Sequence, residues 1–528
     1  LSISNKSILN KFKNIDYPYT LAKVDNQYAG LNDFVPDWAN IELLDLHHPE
    51  GRRTYERTLT FLLSYIAKKH NAIIKIEHSY GDALYGEVES GSINLIQIKG
   101  EMQDLIKKKV VIEKRLLRKL EAVYLLKERK MYDDLQIVEY LSREFITIYS
   151  IGDYICYFAG PLLPHAGFVK FFDLVGIENG FLVVLPSRSD PNKLGAIVER
   201  EKLLRTYNES KDWAEILNIW SVGYLNKAVI SGKMGEIIKV SESFHEKKIA
   251  HIADEIAKRK ENIKMILISG PSSSGKTTFS KRLAVQLMVN GLKPKTFSLD
   301  NYFVDREKTP LDSEGHPYFD ALSALDLPLF NEHLTRLLNG EEVEVPKFNF
   351  KKGRREKNGK RVSMKPGEVL IIEGIHSLNP KLTESIDDAK KYKIYVSALT
   401  QLNINRVNRI PTRDVRLIRR IFRDTLFRGN PPGLTLERWA SVVRGEEENI
   451  FPFQEDADIM FNSSLVYELA VLKNYVETPL RSVNSTEPYY CESLRLLNFL
   501  DHFLPITSAE IPPTSILREF IGGSSFRY

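Results

Sequence analysis

Met265-Ile-Leu-Ile-Ser269 runs without a break into Gly270-Pro-Ser-Ser-Ser-Gly275-Lys276-Thr277, and Thr278-Phe279 opens an amphipathic stretch behind it. An apolar strand, a loop of the form G-x-x-x-x-G-K-[ST] and a helix, in that order, make a phosphate-binding loop. Gly270 and Gly275 permit backbone conformations closed to other residues. Successive N–H groups through Ser272, Ser273, Ser274 and Gly275, and on to Thr278, can then converge on phosphates at a helix N-terminus. Lys276 reaches the β- and γ-phosphates, and Thr277 offers its hydroxyl to Mg²⁺. The helix behind places Phe279, Leu283 and Leu287 on one face and stops at Gly291, with Pro294 beyond. ATP with Mg²⁺ is the expected cofactor.

Downstream, Thr296 to Leu299, Val369 to Ile372 and Lys393 to Val396 read as further buried parallel strands, alternating with amphipathic helices. The fold class expected is α/β, a doubly wound parallel sheet of the P-loop type. Glu373-Gly374 ends the second of these strands, so the carboxylate sits at the C-terminal sheet edge beside the P-loop, where it can hold Mg²⁺ directly or through water. Asp300 ends the first strand. There it either accepts the proton of an attacking hydroxyl or caps the next helix. Arg406, Arg409, Arg413, Arg416, Arg419, Arg420, Arg423 and Arg428 crowd one stretch that holds only Asp414 and Asp424 between them. Intrahelical pairs cannot account for so many cations. They either fold over a triphosphate or form a solvated basic face.

The chain has 528 residues, more than one hydrophobic core usually serves, so two or three domains are expected. A hydrophobic share of 43% and a charged share of 27% are ordinary globular values. The net charge of +5 neither argues for a nucleic-acid partner nor excludes one. Two cysteines, Cys156 and Cys491, form no CxxC pair, which speaks against a disulfide framework or a Cys-based zinc site and for a reducing cytoplasm. No apolar run suggests a membrane span, the N-terminus lacks the order of a signal peptide, and the chain opens at Leu1 without a methionine, as if residues preceded it.

Pattern changes divide the chain. Residues 1–45 are short and mixed, with strand-like Thr20 to Val24 and Ile41 to Leu44. Residues 46–230 read as α+β, with a helix through Tyr55 to Lys69, a strand through Ile73 to Glu77 and a basic, heptad-like helix from Met102 to Lys130. That helix carries Lys107, Lys108, Lys109, Lys114, Arg115, Arg118 and Lys119 around Leu116, Leu117 and Leu120, a pattern for a solvated face or for an RNA-binding one. Residues 231–262 are a connecting helical segment, with Phe244 to Lys260 at helical spacing. The P-loop region spans 263–480, and 481–528 supply a C-terminal helix and tail. Gly522-Gly523-Ser524-Ser525 in that tail is either an anion-binding nest or part of a docked terminus. His376 follows Glu373-Gly374 at the sheet edge and either approaches the acceptor or is an ordinary hydrogen-bonded histidine; His78 has no partner in sequence, and neither is given a catalytic role.

The C-terminal half resembles the uridine kinase and phosphoribulokinase family through GPSSSGKTTF (270–279), SLDNYF (298–303), FDALSALD (319–326), VPKFNF (345–350), IIEGIHSL (371–378) and RLIRRIFRDTLFRG (416–429). The resemblance implies Asp300 as catalytic base and Tyr302 and Asp320 near the acceptor. It also implies Glu373 at the metal and Arg420, Arg423 and Arg428 in a closing lid, Arg423 acting in transfer and Arg423 and Arg428 contacting ATP. Phe348 stands where uridine kinases carry a base-stacking tyrosine, Gly353 where they carry a base-reading histidine, and Asn430 where a further lid arginine is expected.

The N-terminal half resembles the TGS and editing-domain region of threonyl-tRNA synthetases through HPEGRRTYERTLTFLL (48–63), HSYGDALYGEVE (78–89) and AGPLLPHAGFVKFFDL (159–174). By that resemblance 1–45 is a partial TGS-like, β-grasp region and 46–230 an editing-like domain. No histidine has another four residues away, and Phe158 and Leu162 take the places of the editing Cys and His, so the metal and hydrolytic chemistry look lost. The union of the two halves, ending in SILREFIGGSSF (515–526), is similar to bacterial-type nucleoside or uridine kinases.

The leading expectation is a MgATP-dependent nucleoside kinase acting on the ribose 5′-hydroxyl, with Phe348 and Asp320 at the acceptor. The alternatives are a kinase of another hydroxylated metabolite, such as a sugar phosphate or small acid, and an RNA-associated regulatory ATPase that binds tRNA. Charge does not support tRNA binding, no membrane partner is expected, and homo-oligomerisation stays open.

Overall fold

The computed structural model describes residues 5–12, 15–312, 315–356 and 358–528; Leu1 and parts of the expected 1–45 stretch lie outside them. In the C-terminal half, five parallel strands lie in the order Lys293–Ser298, Glu368–Glu373, Met265–Ser269, Lys391–Ser397 and Ile459–Asn462. The P-loop strand is the middle one and is buried throughout. Its side chains alternate between two cores. Ile266 and Ile268 face Phe279, Leu283 and Leu287 of the P-loop helix, whereas Met265 and Leu267 face Phe330, Leu334 and Leu337. Helices on both faces of a parallel sheet define a doubly wound α/β fold.

The chain ahead of this sheet is mostly antiparallel. Gln27–Ala29, Tyr19–Val24 and Ile41–Asp45 make a three-stranded sheet, and Asp173–Ile177, Gly180–Val184, Ala83–Ser90 and Ile73–Tyr80 a four-stranded one. The helix Pro49–Lys69 supplies Tyr55, Leu59, Leu62, Leu63 and Ile66 to a core shared with Ile74 and Ile76. The helix Met234–Lys258 starts well before Phe244, and Ile249, Ile252 and Ile256 join the apolar cluster of the P-loop helix. Among the described residues no helix is long and apolar enough to cross a membrane.

The long basic helix expected over 102–130 is not formed. Leu95–Lys107 is one helix, Lys109 turns the chain at φ +48°, Glu113–Arg118 is a strand paired antiparallel with Phe145–Ile151, and Lys119–Glu128 is a second helix. Pairing to a distant strand overrides the local helical spacing, because cross-strand contacts and burial decide between the two states. The basic side chains therefore do not form one stripe, and the feature that favoured an RNA-binding reading is gone.

Candidate active site

Ser298, Glu373 and Ile268 stand side by side at the C-terminal edge of the sheet, and the P-loop begins two residues after Ile268. Gly270 adopts φ +156°, and a Cβ there would lie 2.0 Å from the carbonyl oxygen of Val396; Gly275, at φ +85°, would drive one into Ile516. Only glycine fits either place. The helix Lys276–Val289 follows directly, with its N-terminal N–H groups turned toward the loop.

Two buried Arg–Glu pairs brace this loop from behind. Arg416 pairs with Glu446, whose Oε1 also accepts the Ser272 N–H at 3.1 Å, while Arg416 Nη1 donates to the Ser272 carbonyl at 3.1 Å. Arg419 pairs with Glu468 at 2.6 Å and donates to the carbonyls of Ser273 and Ser463. These contacts correct the reading of the arginine run. Acids from other elements pair most of it: Arg406 with Glu89 and Asp133, Arg409 with Glu56, and Arg413 with Glu447. Asp414 in turn holds Arg53 and Arg495, each at 2.8 Å.

Three arginines remain at the cleft. The helix Thr412–Arg423 passes into a π-turn at Asp424–Arg428, and Arg420, Arg423 and Arg428 converge on Asp424 at 3.3, 3.3 and 3.4 Å. Burial would raise the Asp424 carboxyl, but the three guanidiniums hold it below its ordinary range. Burial and then the crowding by Arg423 push Arg428 down to about 10. One carboxylate for three cations leaves positive charge in surplus, as an anion-binding cluster requires. Arg420 also donates to the Ser272 hydroxyl at 2.9 Å, which ties the cluster to the P-loop.

Lys276 Nζ donates to the carbonyls of Gly270 and Pro271 at 2.8 and 3.1 Å. Burial lowers its pKa, against the opposing pull of Glu373, Asp300 and Glu519. Glu373 is pushed up to about 7, by burial first and by the neighbouring Asp300 charge next. Two neighbouring carboxylates in such a cleft suit a divalent cation. The loop also fits phosphate: the hydroxyls of Ser273 and Ser274 are buried with no partner among the described residues, donors that a phosphate oxygen would satisfy. Thr277 and Glu373 would be the side chains to hold Mg²⁺ there.

Asp300 lies half-buried in a short 3₁₀ turn, Leu299–Tyr302, and caps no α-helix; the next one, Leu327–Leu338, is capped by Asp326. That leaves its carboxylate within electrostatic reach of Lys276 and Glu373. Asp320 rests against Gly445 and is pushed up to about 7 by burial, with Arg420 pulling it down and Glu446 and Asp300 pushing it up. Phe348 is half-buried, edge-on to Phe303 and Phe350, and Arg428 lies 4.6 Å over the Phe350 ring. Tyr302 is not brought to this cleft. Its ring packs against Phe330 in the core and its hydroxyl meets His333 Nδ1 at 3.1 Å, because the 3₁₀ turn puts Leu299 and Tyr302, three residues apart, on its inward face. Gly353 sits in a turn at φ +66°, hard against Arg306.

A P-loop at the edge of a parallel sheet, two carboxylates beside its lysine and an arginine cluster over it define a P-loop phosphotransferase. The chain belongs to the phosphoribulokinase / uridine kinase family, which it matches over residues 265–469. It is 30% identical over 180 residues to the uridine kinase of Deinococcus deserti, covering 34% of this chain and 77% of the relative. The uridine kinase of Halobacterium salinarum is 29% identical over 194 residues, 37% of this chain and 77% of the relative. A Staphylococcus aureus uridine kinase is 31% identical over 197 residues, 37% of this chain and 86% of the relative. All three matches leave most of the chain outside the shared part.

Proposed function

We propose that the protein is a nucleoside kinase, transferring the γ-phosphoryl group of MgATP to the ribose 5′-hydroxyl of a pyrimidine nucleoside. The observation that supports this best is the placement of Asp300, Lys276 and Glu373 together at the sheet edge, with Phe348 nearby on the short strand Phe348–Asn349, its N–H donating to Asn301 Oδ1. Bound MgATP supplies the phosphoryl group and the charge of the metal. Ser273, Ser274 and Thr278 hold its phosphates, Lys276 neutralises charge that develops on them, and Thr277 and Glu373 hold Mg²⁺. Asp300 takes the proton of the acceptor hydroxyl. Asp320 orients the acceptor, Phe348 stacks on its base, and Arg420, Arg423 and Arg428 close over the phosphates.

The N-terminal half is, in this reading, a TGS-like region over 1–45 and an editing-type domain over 46–230 that keeps the fold without the hydrolytic chemistry. Its antiparallel sheets and the long helix Pro49–Lys69 support that assignment. Both cysteines are free and buried, which suits a cytoplasmic enzyme. A second reading, a kinase of a sugar phosphate or small acid, draws support from Gly353, which has no side chain to read a base edge. Incubation with MgATP and a panel of nucleosides, a sugar phosphate and glycerate, with products weighed by mass spectrometry, separates the two. Nucleoside 5′-monophosphates are expected, with uridine and cytidine within about 100-fold of each other in kcat/KM, the scale of contacts that pair no polar groups. Turnover of the sugar phosphate or glycerate alone would move the assignment to the second reading.

A further inference from the structure

The C-terminal segment, which lies beyond the family match, closes onto the P-loop. Ile516 is fully buried against Gly275, and Phe520, also fully buried, packs under the Arg419 guanidinium at 5.0 Å. Between them the short helix Arg518–Ile521 presents Glu519 to the start of the P-loop helix. Glu519 Oε2 accepts the Thr278 N–H at 3.1 Å and the Thr278 hydroxyl at 2.7 Å. Thr278 Oγ1 then accepts from the Tyr528 hydroxyl at 2.8 Å, and Tyr528 lies within 3.1 Å of Ser524 Oγ. Gly522 and Gly523, at φ +84° and +72°, turn the chain back toward this contact, and Gly522 passes beside Phe427 of the π-turn.

A helix N-terminus offers free N–H groups and a partial positive charge, and a carboxylate and a phosphate compete for both. Thr278 is two residues past Lys276, in the turn whose N–H groups cradle nucleotide phosphates. A purely structural brace has no need of a charge at this point, since Ile516 and Phe520 already bury the segment. We propose that Glu519 is an internal competitor for nucleotide phosphate: it holds the Thr278 amide and hydroxyl until a phosphate takes them, and so sets nucleotide affinity and loosens the Tyr528 end on binding. This rests on the reading of the P-loop as an ATP site.

The test is titration calorimetry of the full chain with MgADP and MgATP, comparing wild type with Glu519→Gln and Glu519→Asp. The amide keeps an acceptor for Thr278 and loses the charge, while the shorter acid withdraws it. Both variants are expected to bind nucleotide about tenfold tighter, the scale of one charge-assisted hydrogen bond no longer displaced. If the amide variant fails to fold, the aspartate variant decides. Hydrogen exchange of residues 522–528 is expected to rise in wild type when MgADP is added. Unchanged or weaker binding in the folded variants would overturn the inference and make Glu519 a brace or a ligand contact. Wild type that binds no nucleotide at all would remove the kinase reading, and this inference with it.

Discussion

Glu446→Gln removes one charge from a pair that water does not reach: Arg416 is 1% exposed and Glu446 is not exposed at all. The amide retains the shape but not the charge, and among the described residues the Ser272 carbonyl and the Trp439 ring, 5.5 Å away, are what remain beside the Arg416 guanidinium with the neutral amide. Breaking a buried pair by removing one partner costs about 3–5 kcal/mol, because the surviving charge is uncompensated. The Ser272 N–H retains an acceptor only if the amide oxygen faces it, which turns the amide NH₂ toward Arg416. The loss should fall on the transition that unfolds the P-loop sheet in urea, followed by fluorescence at neutral pH. Arg416→Met combined with Glu446→Leu removes both charges and should recover most of it. A single-variant loss below about 1 kcal/mol, or a double variant no more stable than the single, would refute the view that this pair braces the loop, since values that small belong to exposed pairs.

Asp300→Asn is expected to lower kcat by about 10²- to 10⁴-fold with nearly unchanged ATP affinity, since the amide cannot take the acceptor proton; equal loss of ATP binding in calorimetry would make Asp300 a metal ligand instead. Phe348→Ala should raise KM for every accepted nucleoside by about 1–3 kcal/mol of lost stacking, measured by steady-state kinetics, and an effect on one nucleoside only would contradict the stacking role. Glu50 is buried and pushed by burial toward a higher pKa, yet Arg57, Arg53 and Arg495 bring it from 4.5 down to about 2. Its charged form therefore contributes about 3 kcal/mol above pH 4.5, lost as the pH falls from 4.5 toward 2. Glu50→Gln should be destabilised by that order at pH 7 in urea titrations, the gap to wild type closing in acid. A gap that holds constant down to pH 2.5 would show that the carboxylate charge is not what Glu50 contributes.

The parts of the fold that are local in sequence were legible. A buried strand, a glycine-flanked loop and an amphipathic helix follow one another within 265–289, so the P-loop and its neighbours could be placed from residue order. What was not legible depends on partners far along the chain. Glu113–Arg118 looks helical by spacing but pairs with Phe145–Ile151, and the arginine run looks unpaired until Glu446 and Glu468 arrive on later helices. Tyr302 follows Asp300 closely enough to suggest a shared role, yet a 3₁₀ turn sends one to the cleft and the other into the core. Glu519 meets Thr278 across 241 residues, and no motif announces it. The signal that existed was weak: an acid among apolar residues in a tail that had no other task.

Phosphoryl transfer by wild type and Lys276→Ala, measured as ADP release from MgATP with uridine or cytidine as acceptor, tests the central claim most directly. Wild type should release ADP in step with nucleoside monophosphate. The variant should lose at least about 100-fold in turnover, because Lys276 stabilises charge that develops during transfer. Its urea midpoint should stay near that of wild type. A folded variant that keeps more than about a tenth of wild-type turnover would contradict the assignment of the P-loop as the site of phosphoryl transfer.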